Sequence, residues 1–85
     1  MRITKSVLEN KCADVNYLRG SAKPFDKAEG NYYIEKTIPL DYSVCEVMPE
    51  INGWKGIHRI QSGMSAADCY SFLLGMEYAL VNLVS

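Results

Sequence analysis

The chain has 85 residues and a net charge of −1, with 9 basic against 10 acidic side chains and 48% hydrophobic residues. This length predicts one domain over residues 1–85, and the hydrophobic content excludes a disordered protein. So small a net charge gives no general attraction to nucleic acid or to an acidic membrane surface. The N-terminal stretch "MRITKSVLENK" lacks the apolar run of a signal peptide, so we expect a cytoplasmic protein without a membrane partner.

The three cysteines, Cys12, Cys45 and Cys69, are widely spaced and odd in number. A disulfide framework favours an even set, and a zinc site favours closely spaced cysteine pairs with histidine. The sequence has a single histidine, His58. We therefore expect three buried thiols that pack as small apolar groups, with no metal and no cofactor.

The first predicted element is a helix over Lys5–Arg19, because apolar residues recur there at a spacing near 3.6. The apolar stripe consists of Val7, Leu8, Cys12, Val15 and Leu18. Thr4 is a suitable N-cap, and Ser6 with Glu9 forms a competing capping box. A connector rich in turn-forming residues follows over Gly20–Gly30.

Three short strands are predicted after this connector. Asn31–Ile38 alternates between apolar and polar residues, and Tyr42–Met48 is rich in β-forming residues and ends at Pro49. Asn52 and Gly53 favour a tight turn, and a third strand is predicted after it, around Ile57–Gln61. The connections are too short for parallel crossovers, so we expect antiparallel pairing.

The last predicted element is a helix over Ala66–Val84, which a capping box of Ser65 and Asp68 begins. Its polar residues form one narrow stripe: Asp68, Ser71, Gly75, Tyr78 and Asn82. Small side chains recur four residues apart at Ala67, Ser71, Gly75 and Ala79, which would let another backbone come close. A helix that lies on a sheet in water usually has a wider polar face, so this helix should be covered on more than one side.

The sequence leaves open two explanations of what covers the last helix. The first helix and the sheet can cover it, or a second copy of the chain or another protein can do so along Leu74, Tyr78 and Val81. We assign dimer contact or helix packing to Ser71, Leu74, Gly75 and Val81. A membrane span is not expected, because the apolar stretch is short and contains Glu77.

No arrangement of residues that supports catalysis is evident. His58 has no nucleophile at a fixed position beside it, and nothing fixes the separation of Glu46 and Glu50. No glycine loop leads into a helix as a phosphate site requires. We therefore expect no catalytic residue and no enzyme. The alternative function is nucleic-acid binding by one face of the sheet, because lysines lie among Tyr32, Tyr33 and Tyr42. Acidic residues share that region and weigh against it.

The order of short motifs from Gly30 onward resembles a family of small bacteriophage and prophage accessory proteins. The matching residues are Gly30-Asn31-Tyr32, the loop Asn52-Gly53-Trp54-Lys55-Gly56, and Tyr70, Phe72 and Leu73 in the last helix. The family commonly has a run of glycines where Trp54 stands here. The resemblance implies a product made in the bacterial cytoplasm that binds and blocks a host protein, including defence systems such as CRISPR nucleases. It implies no catalytic residues.

The residues together predict an α+β domain of order α-β-β-β-α, with two helices on one face of a three-stranded antiparallel sheet. The predicted function is a non-enzymatic protein that binds and inhibits or modulates a host protein. Exposed aromatic residues and arginine dominate binding hot spots, so the candidate contact residues are Tyr33, Trp54, Lys55, Arg59 and Tyr78.

Overall fold

A computed structural model describes residues 2–38 and 41–84. The elements are α1 (Lys5–Leu18), β1 (Tyr32–Ile38), β2 (Asp41–Ile51), β3 (Trp54–Met64) and α2 (Ala66–Val84). The strands form one antiparallel sheet in the order β1-β2-β3. This confirms the predicted α+β order, α-β-β-β-α.

Both helices pack on the same face of the sheet and run in the same direction. The buried cluster joins Leu8 and Cys12 of α1 with Cys69 and Leu73 of α2, above Val44 of the central strand. Ile34, Tyr42 and Met64 complete the cluster from the three strands. The domain is therefore a thin two-layer sandwich, 17 Å in its smallest dimension, with its core near the end where α2 begins.

Both helices begin at the residues that the sequence indicates. The side chain of Thr4 accepts a hydrogen bond from the Val7 amide. Thr4 is therefore the N-cap of α1, and Ser6 of the competing capping box is not. The Ser65 hydroxyl accepts a hydrogen bond from the Asp68 amide at the start of α2. α1 ends one residue earlier than predicted, because Arg19 is its C-cap.

Two of the predicted strands are too short. β2 continues through Pro49 to Ile51, and β3 spans Trp54–Met64, whereas the sequence predicts a third strand only around Ile57–Gln61. Proline is tolerated where pairing is irregular, and the register of β2 and β3 shifts between Val47 and Glu50. The two long strands therefore form a hairpin that is several residues longer than β1. The sequence also has a strand-ending proline after Ile38, Pro39, which lies outside the described residues.

Asn16 of α1 anchors the start of β1 from inside the fold. Its side-chain amide donates to the carbonyl oxygens of Pro24 at 2.8 Å and Tyr32 at 2.9 Å. Its side-chain oxygen accepts from the Tyr32 amide at 2.8 Å. Asn16 is almost fully buried, so these hydrogen bonds join α1, the connector and β1 without competition from water.

Two further side chains hold the connector against the sheet. Asn31 is buried and donates to the carbonyl oxygens of Lys23 and Asp26. Arg19 lies with its guanidinium 4.2 Å from the centre of the Tyr32 ring and forms an ion pair with Glu46. The connector is thus a folded segment whose position sets the position of β1.

We predict that Asn16→Ala lowers the free energy of unfolding by about 2–4 kcal/mol, because it leaves buried backbone groups of Tyr32 and Pro24 without their partner. Urea denaturation monitored by circular dichroism measures this change. Asn10→Ala is the matched control, because Asn10 is exposed on the same helix and its replacement should change stability by less than about 0.5 kcal/mol. Equal losses in the two variants would contradict the anchoring role of Asn16.

Candidate protein-interaction surfaces

The outer part of the β2–β3 hairpin extends past the end of β1. The Val47 amide donates to the Asn31 carbonyl, and the Gly30 amide donates to the Val47 carbonyl. In the described part of the chain, β2 beyond Val47 pairs with β3 alone. We call residues 48–57 the outer ribbon. Since β1 is missing there, the outer ribbon is a two-stranded extension of the sheet.

The outer ribbon carries large apolar side chains in solvent. Trp54 is 79% exposed, Ile51 67% and Ile57 62%. Ile51 and Trp54 lie opposite each other in the register, and Met48 lies against Gly56, so Met48, Ile51 and Trp54 share one face. Single exposed apolar residues are ordinary, but a cluster of this kind marks a contact surface.

A tight turn shapes the tip of the outer ribbon. Asn52 and Gly53 both have positive φ, 54° and 82°, as a two-residue type I′ hairpin turn requires. Ile51 and Trp54 flank this turn as a directly opposed pair. The backbone geometry therefore presents Trp54 at the end of a regular hairpin, where a partner surface can reach it.

The candidate residues Tyr33 and Arg59 lie on the open face of the sheet, opposite the helices. Both are neighbours of Cys45 in the pairing register. Arg59 forms an ion pair with Glu35 at 2.9 Å, and Glu35 lies 4.0 Å from the Cys45 sulfur. Lys27 lies 4.8 Å from the centre of the Tyr33 ring. Burial raises the pKa of Tyr33.

This arrangement gives Tyr33 and Arg59 a structural role. Their side chains, with Glu35, cover the fully buried Cys45 thiol on a sheet face that no described helix covers. The charge of Arg59 on the open face is balanced by Glu35. Lys55 pairs with Glu50 through its backbone, and its side chain lies outside the described part of the chain.

The exposed side of α2 is the second apolar surface. Tyr78 is 74% exposed, Val81 48% and Leu74 39%, and all three lie within one stripe of the helix. The small residues Ala67, Ser71, Gly75 and Ala79 are exposed beside them. A Cβ atom at Gly75 would meet no described heavy atom within 4 Å beyond its own helical surroundings. The fold itself therefore does not use the absence of a side chain at Gly75.

Tyr17 of α1 continues this surface. It lines a groove of about 260 Å³ together with Leu18 and Val81, and Asp14 and Glu77 form its polar part. Lys11 forms ion pairs with both carboxylates, at 3.4 Å and 3.2 Å. We call Tyr17, Leu74, Tyr78 and Val81 the α2 face. Sequence reasoning missed Tyr17, Met48, Ile51 and Ile57, because their exposure depends on where the neighbouring elements end.

The described residues hold no cluster of three or more side chains suited to a metal ion. Over residues 2–38 and 41–84, neither helix combines the length and hydropathy of a membrane-crossing segment. Comparison with protein-family models, curated proteins and solved structures finds no match.

The three thiols are free and buried, which confirms their expected packing role. Burial raises the pKa of Cys12 to about 12 and that of Cys69 to about 11, from an ordinary value of 9.0. The neighbouring Cys69, Glu9 and Cys45 add smaller contributions at Cys12. The neutral thiol is therefore favoured in the folded state, and these groups are poor nucleophiles at neutral pH.

We predict a loss of stability in alkaline solution from these raised pKa values. Below pH 9 the thiols are neutral in both states. Above it they ionise only in the unfolded chain, which lowers the free energy of unfolding by up to about 1.4 kcal/mol per pH unit for each thiol. The loss stops as the pH passes the folded-state pKa. Urea titrations from pH 8 to 10.5 measure the slope, and Cys12→Ala should make it shallower. Identical slopes would contradict the assignment.

Proposed function

We propose that this protein is a non-enzymatic interaction protein that binds another protein through the outer ribbon. The single observation that supports this proposal most strongly is the exposure of Trp54, 79%, beside Ile51 on a regular hairpin. Tryptophan is among the residues most enriched at binding hot spots. The outer ribbon holds these side chains outside the core, where a partner can bury them.

The apolar side chains of the outer ribbon are large enough to supply the binding energy of a hot spot. Burying a large apolar side chain contributes about 1.5–3 kcal/mol, and truncating a hot-spot residue costs about 2 kcal/mol or more. Trp54, Ile51 and Met48 share one face and offer several such contributions together. The type I′ turn holds the strands before binding, so little conformational entropy is lost on association.

The class of partner that we propose is a bacterial host protein that this chain inhibits or modulates. The support is the resemblance to small phage accessory proteins, from whose glycine-rich loop Trp54 itself departs. The apolar character of the outer ribbon adds to it, because such a face fits a hydrophobic pocket or groove on a protein. In this proposal the protein acts in the bacterial cytoplasm.

The contacts of the sheet favour a protein over nucleic acid as the partner. Arg59 on the open face is paired with Glu35, and Tyr42, beside Lys36 on the helix-covered face, is buried among core residues. Base stacking needs accessible aromatic faces beside unbalanced positive charge. Of these two tyrosine positions, Tyr33 beside Lys27 retains that arrangement and Tyr42 does not. Binding to nucleic acid would also weaken steeply with salt, whereas binding through the outer ribbon should change little with salt.

We predict that Trp54→Ser together with Ile51→Ser abolishes recovery of a specific protein from a bacterial lysate by the tagged chain. Phe25→Ser is the matched control, because Phe25 is 70% exposed, close to the values of Trp54 and Ile51, and lies in the connector. The wild type and Phe25→Ser should recover the same protein, and circular dichroism should show all variants folded. A partner that the double variant retains would contradict the proposed surface.

The chain has one tryptophan, so fluorescence tests the same contact with the purified partner. Emission from Trp54 should shift to shorter wavelength on binding, because the indole leaves water. The affinity should fall by about 30-fold or more in Trp54→Ser, which corresponds to about 2 kcal/mol. An unchanged emission spectrum at saturation would place the contact elsewhere.

A further inference from the structure

We infer that the α2 face is the contact between two copies of this chain, packed as antiparallel α2 helices. This inference is independent of the proposed function, because the outer ribbon takes no part in it. It rests on the charges of α2, on the apolar area that the α2 face exposes and on the shape of the helix around Gly75.

The charges of α2 favour a second copy as the occupant. Residues 66–84 contain only two ionisable acids, Asp68 and Glu77, and no basic residue. Glu77 is ion-paired with Lys11 within the subunit, and Asp68 lies in the first turn of the helix. One charged cluster, Asp14 and Glu77 with Lys11, borders the apolar side chains of the α2 face, and its members are ion-paired with one another within the subunit. A copy of the same apolar surface can therefore cover the α2 face without burying an unpaired charge.

The helix dipoles favour the antiparallel arrangement, because antiparallel packing places the two dipoles in opposite directions. At about 100° per residue, Asp68 lies about 80–140° around the helix from Leu74, Tyr78 and Val81, so its carboxylate borders the contact in either arrangement.

The exposed area is sufficient for a dimer of moderate affinity. Tyr17 and Tyr78 each expose more than 70% of their surface, and Leu74 and Val81 between a third and a half. With the small residues beside them, this amounts to about 600 Å² per subunit, or about 1,200 Å² for the pair. Specific interfaces begin near this size, so we expect a dimer that dissociates in the micromolar range.

The small residues set the geometry of this contact. With the two-fold axis near Gly75, Tyr78 of one copy lies over Ser71 of the other, and the reverse holds by symmetry. Small side chains at Ala67, Ser71 and Gly75 leave room for the tyrosine ring and for close approach of the helices. This accounts for an exposed mid-helix glycine that the subunit does not use.

Sedimentation equilibrium from about 1 to about 300 μM tests the proposal on the full chain. The wild type should pass from monomer to dimer in this range, and Tyr78→Lys should remain monomeric throughout. The matched control is Ile57→Lys, which places the same charge on the exposed outer ribbon and should leave dimerisation unchanged. A monomeric wild type at the highest concentration would overturn the inference. Dimerisation of Tyr78→Lys would overturn it as well.

Cysteine cross-linking tests the orientation and does not depend on the folding of Tyr78→Lys. Gly75→Cys lies at the axis and should form a disulfide-linked dimer under mild oxidation, whereas Ala67→Cys should not, since its two copies lie about 24 Å apart along the helices. The native thiols are buried and stay unreacted. Cross-linking through Ala67→Cys would indicate parallel packing and overturn the antiparallel arrangement. Failure of Gly75→Cys to cross-link would overturn the interface.

Discussion

The hydrogen bonds of Asn16 fix the point at which β1 begins, and the exposed surfaces follow from that point. Tyr32 is held by both of its backbone groups, and it pairs with Glu46 of β2. β1 can therefore pair only with the inner part of the longer β2–β3 hairpin. Two buried asparagines and one arginine thus determine how much of β2 and β3 is left without a third strand. The core stops at the same level, since Val47 is the last buried residue of β2.

The small size of the domain explains why so much apolar surface lies outside the core. The buried cluster takes its side chains from the end of the sheet where both helices begin. Beyond it, no described element forms a third layer that would cover the outer ribbon or the far side of α2. A chain of this length buries only about 60% of the surface that it exposes when unfolded. Most of the remaining exposed apolar groups lie on two separate surfaces, as contact with partners requires, whereas Phe25 and Leu83 are exposed outside them.

Local sequence signals predicted those features that depend only on local chemistry. Thr4 and Ser65 cap the helices as expected, and the 3.6-residue period of α2 correctly placed Leu74, Tyr78 and Val81 on one stripe. The length of the β2–β3 hairpin could not be predicted from local sequence signals. Pro49 is a strand-ending signal, but here it lies at a register shift where β2 has lost its neighbour β1. That loss depends on Asn16, more than 30 residues earlier in the sequence. Likewise, the pairing of Arg59 with Glu35 follows from the register of three strands.

The two surfaces lie on different elements, so occupation of one does not exclude occupation of the other. The outer ribbon belongs to β2 and β3, whereas the α2 face belongs to the two helices. A dimer through α2 would carry two copies of Trp54, and a partner with repeated or symmetric sites could bind both. Linked binding of this kind raises apparent affinity by about 10²–10⁴-fold when the spacing of the sites matches. A domain of 85 residues with a modest contact on each subunit would in this way bind tightly without a larger interface.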